Sequence, residues 1–302
     1  MDSTDAPTQQ LRFLTLADGR RLAFSEFGAP DGQAVLYCHG FPSSRHEARL
    51  LHDQALRAGA RIIAADRPGY GRSDPQPGRC ILDWADDLTR LADHLQLDRF
   101  ALLGVSGGGP YALAGAARAP TRIAACALVC PLGPIYIDSV LSQMNWAVRT
   151  NLMIGRQPHW LGDLLFGMPT TIMLHHWPHL VEDVRSIAAP PADRVCLAEG
   201  NNAEILNQTI ADAMAHGARG AREDLVLYAH DWQIPFSDIS LPIHIWHGSA
   251  DGTVPVEHAR WYAEHLSGAR LTELPDEGHY SVPLGHGATI LKDLLADPLA
   301  VG

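Results

Sequence analysis

A chain of 302 residues, 46% hydrophobic and 19% charged, carries enough apolar material for one large α/β domain or two ordinary ones, and this balance excludes a disordered or fibrous protein. Its formal charge of −11 argues against nucleic acid or an anionic membrane as the main partner, since both reward clustered lysine and arginine. The polar start, Met1 to Gln10, has no basic and apolar leader pattern, no apolar run reaches the roughly 20 residues of a membrane span, and the five cysteines include no Cys-x-x-Cys pair. The expectation is a cytoplasmic protein with buried free thiols; Cys126 and Cys130, on one strand, stand about 13 Å apart, too far for a disulfide.

In chain order, residues 11–17 and 21–27 alternate in polarity around Asp18-Gly19-Arg20, which predicts an antiparallel hairpin. Ala34 to Cys38 reads as a strand buried on both faces, ending in His39-Gly40-Phe41-Pro42-Ser43-Ser44. A helix is predicted over Arg45 to Ala58, a strand over Arg61 to Ala65, and then a turn-rich loop over Asp66 to Asp74. A helix over Leu82 to Leu95 precedes the apolar run Phe100 to Val105. That run leads into Gly104-Val105-Ser106-Gly107-Gly108, followed by a helix-compatible stretch from Tyr111 to Arg118 and a further strand at Ile123 to Val129.

Strand–helix alternation of this kind signals a parallel sheet with ligand sites outside the carboxyl ends of its strands. The loops His39–Ser44, Asp66–Asp74 and Gly104–Gly108 all fall there. Gly-x-Ser-x-Gly between a strand and a helix is the pattern of a nucleophile elbow; the alternative is a glycine-rich turn with no chemistry. A dinucleotide loop would need glycine where Ser106 stands.

From about Gly133 to Pro235 strand-like runs disappear, and helix-compatible segments stand at roughly 136–154, 170–187, 200–215 and 219–229. This predicts a helical cap over 133–235, inserted into a core made of 1–132 and 236–302. Its tryptophans and methionines are mostly packing residues, with a few facing the elbow. Alternation resumes with a strand at Ile243 to Trp246, a helix at Val256 to Leu266, a strand at Arg270 to Leu274 and a final helix at Gly287 to Leu295.

A serine hydroxyl is nearly inert without a base, and the base needs an orienting carboxylate. Asp251 follows the 243–246 strand and His279 the 270–274 strand, so both lie at carboxyl strand ends in neighbouring loops. His39 and His247 come directly off their strands and read as loop braces. Asp276 and Glu277 are alternative acids, too close in sequence to His279 to reach its ring from behind. His175, His176 and His179 have partial metal-ligand spacing, but Pro178 interrupts it and no partner ligands are evident.

Four motifs in order, HGFPSS, DRPGYGRSD, GVSGGGP and HGSADGTVP with its later EGH, make the chain resemble the α/β-hydrolase superfamily over roughly residues 20–297. The resemblance implies a mostly parallel eight-stranded sheet flanked by helices, with Ser106 as nucleophile, His279 as base and Asp251 as orienting acid. It further implies an oxyanion hole from the amides of Phe41 and Gly107, no cofactor, no metal, and a small-molecule substrate. Serine at the elbow argues against haloalkane dehalogenases and most epoxide hydrolases. Leu132, Trp146 and Tyr280 are candidate substrate-binding residues, and Gly107, lacking a side chain, predicts an open wall beside Ser106. The expected activity is hydrolysis of a small, rather apolar carboxylic ester through an acyl-enzyme. Proline iminopeptidases are similar in length and cap placement, but have tryptophan where this chain has Gly107. Non-hydrolytic receptors and cofactor-free lyases or oxygenases share the same fold, and monomer and homodimer remain equally open.

Overall fold

The structure, a computed structural model, describes residues 10–167, 169–170 and 189–296. Eight strands form one sheet: β1 (Arg12–Thr15), β2 (Arg21–Gly28), β3 (Gln33–Cys38), β4 (Ala60–Ala65), β5 (Phe100–Val105), β6 (Ile123–Val129), β7 (Ile243–Gly248) and β8 (Arg270–Leu274). Their spatial order is β1-β2-β4-β3-β5-β6-β7-β8. The hairpin β1–β2 is antiparallel and β2 pairs antiparallel with β4; every other pairing is parallel.

The central strands are apolar throughout because both faces are covered, and their pleat deals residues alternately to two cores. Leu36 and Cys38 of β3, Ile63 and Ala65 of β4, and Leu102 of β5 enter one core. Val35, Tyr37, Ile62, Ala64, Ala101 and Leu103 enter the other. The helices α1 (His52–Ala58), α2 (Asp83–His94) and α3 (Gly109–Arg118) follow β3, β4 and β5 as crossovers. Because β4 lies on one side of β3 and β5 on the other, the chain reverses direction across the sheet between β3 and β5. At that switch point Cys38 pairs with Gly104, so the loop after β3 and the elbow after β5 leave the sheet side by side.

Between β6 and β7 the described residues form helices and no strand: α4 (Asp138–Leu141), α5 (Trp146–Met153), α6 (His159–Gly162), α7 (Pro191–Ala198), α8 (Asn202–Ala213) and α9 (Arg219–Tyr228). Helix α7 was not expected from the sequence; it starts on the second of two prolines, where a fixed φ suits the first turn and the missing N–H is no loss. The expected helix over 170–187 lies almost wholly outside the described residues, and His175, His176 and His179 with it. The chain closes with α10 (Val256–His265), β8 and α11 (Ser281–Leu295). Helix α11 begins six residues earlier than its sequence suggested, because Pro283 falls within the first turn, where no backbone donor is required of it. Cys38, Cys126 and Cys130 are buried thiols as expected, whereas Cys80 is exposed and Cys196 half-buried. No described helix is long and apolar enough to cross a membrane.

One buried ion cluster ties this helical segment between β6 and β7, the insertion expected from the sequence, to the loops of the sheet. Asp224 of α9, fully buried, accepts from Arg67 (Nε, 3.0 Å), Tyr70 (2.8 Å), Arg79 and Tyr111, with Tyr228 at 3.3 Å. Burial alone would push its carboxyl up, but the two guanidiniums and the phenol hydrogen bonds win and hold it well below the usual carboxylate range. Removing the carboxylate leaves two guanidiniums buried without their partner. Asp224→Ala should therefore cost about 3–5 kcal/mol of unfolding free energy in a urea titration. Truncating Arg260, whose pair with Glu273 is exposed, should cost less than about 1 kcal/mol. Since the Asp224 pKa is depressed, its contribution is complete at neutral pH and fades only as pH falls below about 4.

Candidate active site

Ser106 stands at the first position after β5 with φ +53°, a left-handed conformation that a non-glycine residue rarely holds. The turn continues through a short 3₁₀ segment, Ser106–Gly108, directly into α3, so the serine sits at the amino end of a helix. The glycines around it are dictated by close approach. A Cβ on Gly108 would lie 2.0 Å from the carbonyl oxygen of Cys38, inside the neighbouring strand's backbone. A Cβ on Gly107 would lie 2.6 Å from Phe41 Cβ and 2.7 Å from the Tyr228 hydroxyl. The wall beside Gly107 is therefore filled, not open as its missing side chain suggested. Tyr228, from the insertion, occupies it and donates a 2.7 Å hydrogen bond to the Gly107 carbonyl.

Phe41 follows the β3 loop, and its backbone N lies 3.3 Å from the point where a Gly107 Cβ would stand, so the two candidate oxyanion-hole residues are adjacent. The loop is held from behind. Arg67 donates to the carbonyls of His39 and Gly40, the latter at 2.8 Å. His39 accepts from the Arg67 amide at Nε2 (3.2 Å), and its Nδ1 lies 3.0 Å from the Gly40 carbonyl. Burial and the Arg67 charge hold His39 well below the ordinary imidazole pKa, a neutral brace in place of a base. The Asp66–Asp74 stretch is likewise a turn organised on one carboxylate: Asp66 accepts from the Arg45 amide and guanidinium and from the Arg72 amide.

His279 Nδ1 lies 2.7 Å from Asp251 Oδ2, both buried. Asp251 Oδ1 accepts the amides of Thr253 and Val254 at 2.8 Å each, which fixes the other oxygen toward the imidazole. His247 Nε2 lies 2.8 Å from the Val254 carbonyl and 3.3 Å from Asp251 Oδ2, bracing the same loop. Burial lowers the His279 pKa, but the Asp251 charge and hydrogen bond outweigh it and the net shift is upward. Asp276 donates its amide to Ser249 and Glu277 pairs with His286; neither reaches His279. Ser106 and His279 line one cavity.

That cavity, about 110 Å³, is walled by Phe41, Leu50, Leu51, Val105, Pro283 and Leu284, with Leu206 and Ile210 contributed by α8. Tyr280 lines it as the sequence suggested. Leu132 and Trp146 do not. Leu132 is a core residue that touches the site only through its backbone, donating its amide to the Ser106 carbonyl at 3.0 Å. Trp146 opens α5 on the outer surface, 81% exposed, because its helix turns Val148, Leu152 and Met153 toward the core instead. The insertion thus supplies leucine and isoleucine to the cavity in place of the expected tryptophan and methionine.

One residue that holds the site's backbone escaped the sequence reading. Asp193 of α7, 1% exposed, accepts the amides of His279 (3.0 Å), Tyr280 (2.9 Å) and Ser281 (2.8 Å). It satisfies the orphan donors at the start of α11 and fixes the His279 backbone from the insertion side. The glycine of Glu277-Gly278-His279 now has a reason: a Cβ on Gly278 would lie 2.4 Å from Asp193 Oδ1. An acid two residues after Pro-Pro was the available signal, but the partner amides lie 86 to 88 residues away.

Comparison with known proteins agrees with this fold. A family described as the α/β hydrolase fold matches residues 33–285. A non-heme chloroperoxidase of Streptomyces lividans is 34% identical over 128 residues, which cover 42% of this chain and 46% of that protein. A bifunctional esterase/perhydrolase of Acinetobacter calcoaceticus is 24% identical over 94% of this chain and 98% of its own length. Among solved structures, an esterase from Exiguobacterium antarcticum superposes with a TM-score of 0.70 at 20% identity, covering 95% of this chain and 98% of that one. Asp193→Ala should displace the His279 backbone and cost about 1–2 kcal/mol of stability, checked by thermal melts beside hydrogen exchange of the His279, Tyr280 and Ser281 amides.

Proposed function

The chain belongs to the α/β-hydrolase fold family and is a hydrolase, and on that premise we propose that it cleaves small, rather apolar carboxylic esters by nucleophilic catalysis through an acyl-enzyme on Ser106. The observation that carries this reading is the 2.7 Å contact between Asp251 Oδ2 and His279 Nδ1, with His279 and the elbow serine lining one cavity. With Nδ1–H donated to the carboxylate, Nε2 is the basic nitrogen. It takes the Ser106 proton as Oγ attacks the ester carbonyl. The amides of Phe41 and Gly107 receive the negative charge that develops on the carbonyl oxygen, each such donor contributing roughly 3–4 kcal/mol. The protonated imidazole then gives its proton to the departing alkoxide, and water repeats the sequence on the acyl-enzyme. In this reading residues 133–235 act as a cap, and the apolar wall of the cavity sets a preference for small alkyl groups.

A second reading is favoured by the relatives, one of which is named a bifunctional esterase/perhydrolase. The same acyl-enzyme, taken by hydrogen peroxide in place of water, would yield a peracid. Peracid formation from acetate and peroxide, measured beside hydrolysis, separates the two.

Ser106→Ala should reduce kcat on p-nitrophenyl butyrate by roughly 10⁴-fold or more and abolish labelling by a fluorophosphonate. An unchanged rate would overturn the nucleophile assignment. Catalysis needs His279 neutral, and its pKa is raised, so kcat/KM should fall on acidification with a midpoint above the ordinary imidazole value of about 6.5. Removing the anion that raises it, in Asp251→Asn, should move that midpoint down and lower kcat by roughly 10⁴-fold.

A further inference from the structure

Glu47 is an acid in the cavity that the Ser106 mechanism does not use. It comes from the 3₁₀ turn Arg45–Leu51 before α1 and lines the same cavity as Ser106 and His279. Among the described lining residues it is the one carboxylate, and no lysine or arginine accompanies it. Its two oxygens have different surroundings. Oε2 accepts from the Tyr37 hydroxyl at 2.9 Å and from the Gly40 amide at 2.7 Å. Oε1 lies 3.0 Å from the point where a Gly40 Cβ would stand, and Ser106 Cβ lies 3.6 Å from that same point. The second oxygen therefore flanks the nucleophile across the bare face of Gly40.

Holding a carboxylate against leucine and proline walls is unfavourable, and burial raises its pKa, opposed by the Gly40, Tyr37 and Ser43 hydrogen bonds and the Arg67 charge. The charged groups facing it are Arg67, behind the Gly40 carbonyl, and His279 across the cavity. A brace for the β3 loop would need only an acceptor, which a neutral amide supplies. An anion that lines the cavity beside the nucleophile is instead suited to a cation or strong N–H donor, and it repels a second carboxylate.

Resting on the ester-hydrolase reading, we propose that Glu47 is a substrate-recognition residue that selects esters carrying an ammonium or comparable cationic N–H group close to the scissile bond and rejects carboxylate-bearing ones. The rest of the substrate remains small and apolar, as the Leu50, Leu51, Leu206 and Ile210 walls require.

The test compares four small esters by proton release: ethyl propionate, ethyl β-alaninate with a cation on the acyl side, 2-(dimethylamino)ethyl propionate with a cation on the alcohol side, and monoethyl succinate. The wild-type protein should prefer at least one cationic ester to ethyl propionate and disfavour monoethyl succinate. In Glu47→Gln, which keeps an acceptor for Gly40 and Tyr37, that cationic-to-neutral ratio of kcat/KM should fall at least about tenfold and the anionic-to-neutral ratio should rise. Glu47→Asp, which keeps the charge, should retain the order of preference. Ratios equal in wild type and Glu47→Gln within about twofold would overturn the proposal. Calorimetry on Ser106→Ala with N,N-dimethylethanolamine and with propionate reads the same selectivity without turnover. A wild-type protein that hydrolyses none of the esters yet binds the amine through Glu47 would sink the ester-hydrolase reading and leave this recognition standing. Amine binding that is equal with and without Glu47 would sink the recognition alone.

Discussion

The carboxylate of Asp224 is the contact on which the arrangement of this molecule depends. It is a buried anion on a helix between β6 and β7, and it gathers Arg67 and Arg79 from the segment after β4 with three tyrosines around them. Charges so placed are stable only as a complete set, because each guanidinium would otherwise sit desolvated and alone. Arg67 spends its remaining donors on the carbonyls of His39 and Gly40. The geometry of the loop bearing Phe41 is thus fixed by an ion pair whose anion belongs to another part of the chain.

The elbow is constrained in the same manner. A left-handed serine is strained, and strain persists only where its surroundings over-determine it. Here the Cys38 carbonyl, the Leu132 amide and the Tyr228 hydroxyl bound the turn on three sides. Asp251 is similarly over-determined by two backbone amides and two imidazoles. Preorganised groups of this kind need little rearrangement when charge develops.

The sheet was legible because its signals are local: apolar runs of strand length, turn residues at their ends, and helical spacing between. Ser106, Asp251 and His279 could be singled out since each lies in the loop that follows such a run. What could not be read was which helix acids face inward. Glu182, Glu199, Glu204, Glu223 and Asp224 look alike in sequence; only packing of α9 on the β4 loop separates Asp224 from its neighbour Glu223, buried against partly exposed. Trp146 misled for the converse reason, since a large aromatic in a helix-rich stretch suggests burial, yet it faces solvent. Gly107 misled because the absence of a side chain says nothing of what another element sends into the space.

Three insertion residues reach the machinery itself: Asp193 under the His279 loop, Asp224 behind the β3 loop, and Tyr228 on the elbow carbonyl. An insertion so engaged is not an interchangeable module. Grafting a different one onto this sheet, as chimera design would attempt, replaces wall residues such as Leu206 but also removes the contacts that hold the His279 loop, the β3 loop and the elbow. A change along the cavity wall leaves those contacts in place, whereas exchange of the whole segment does not.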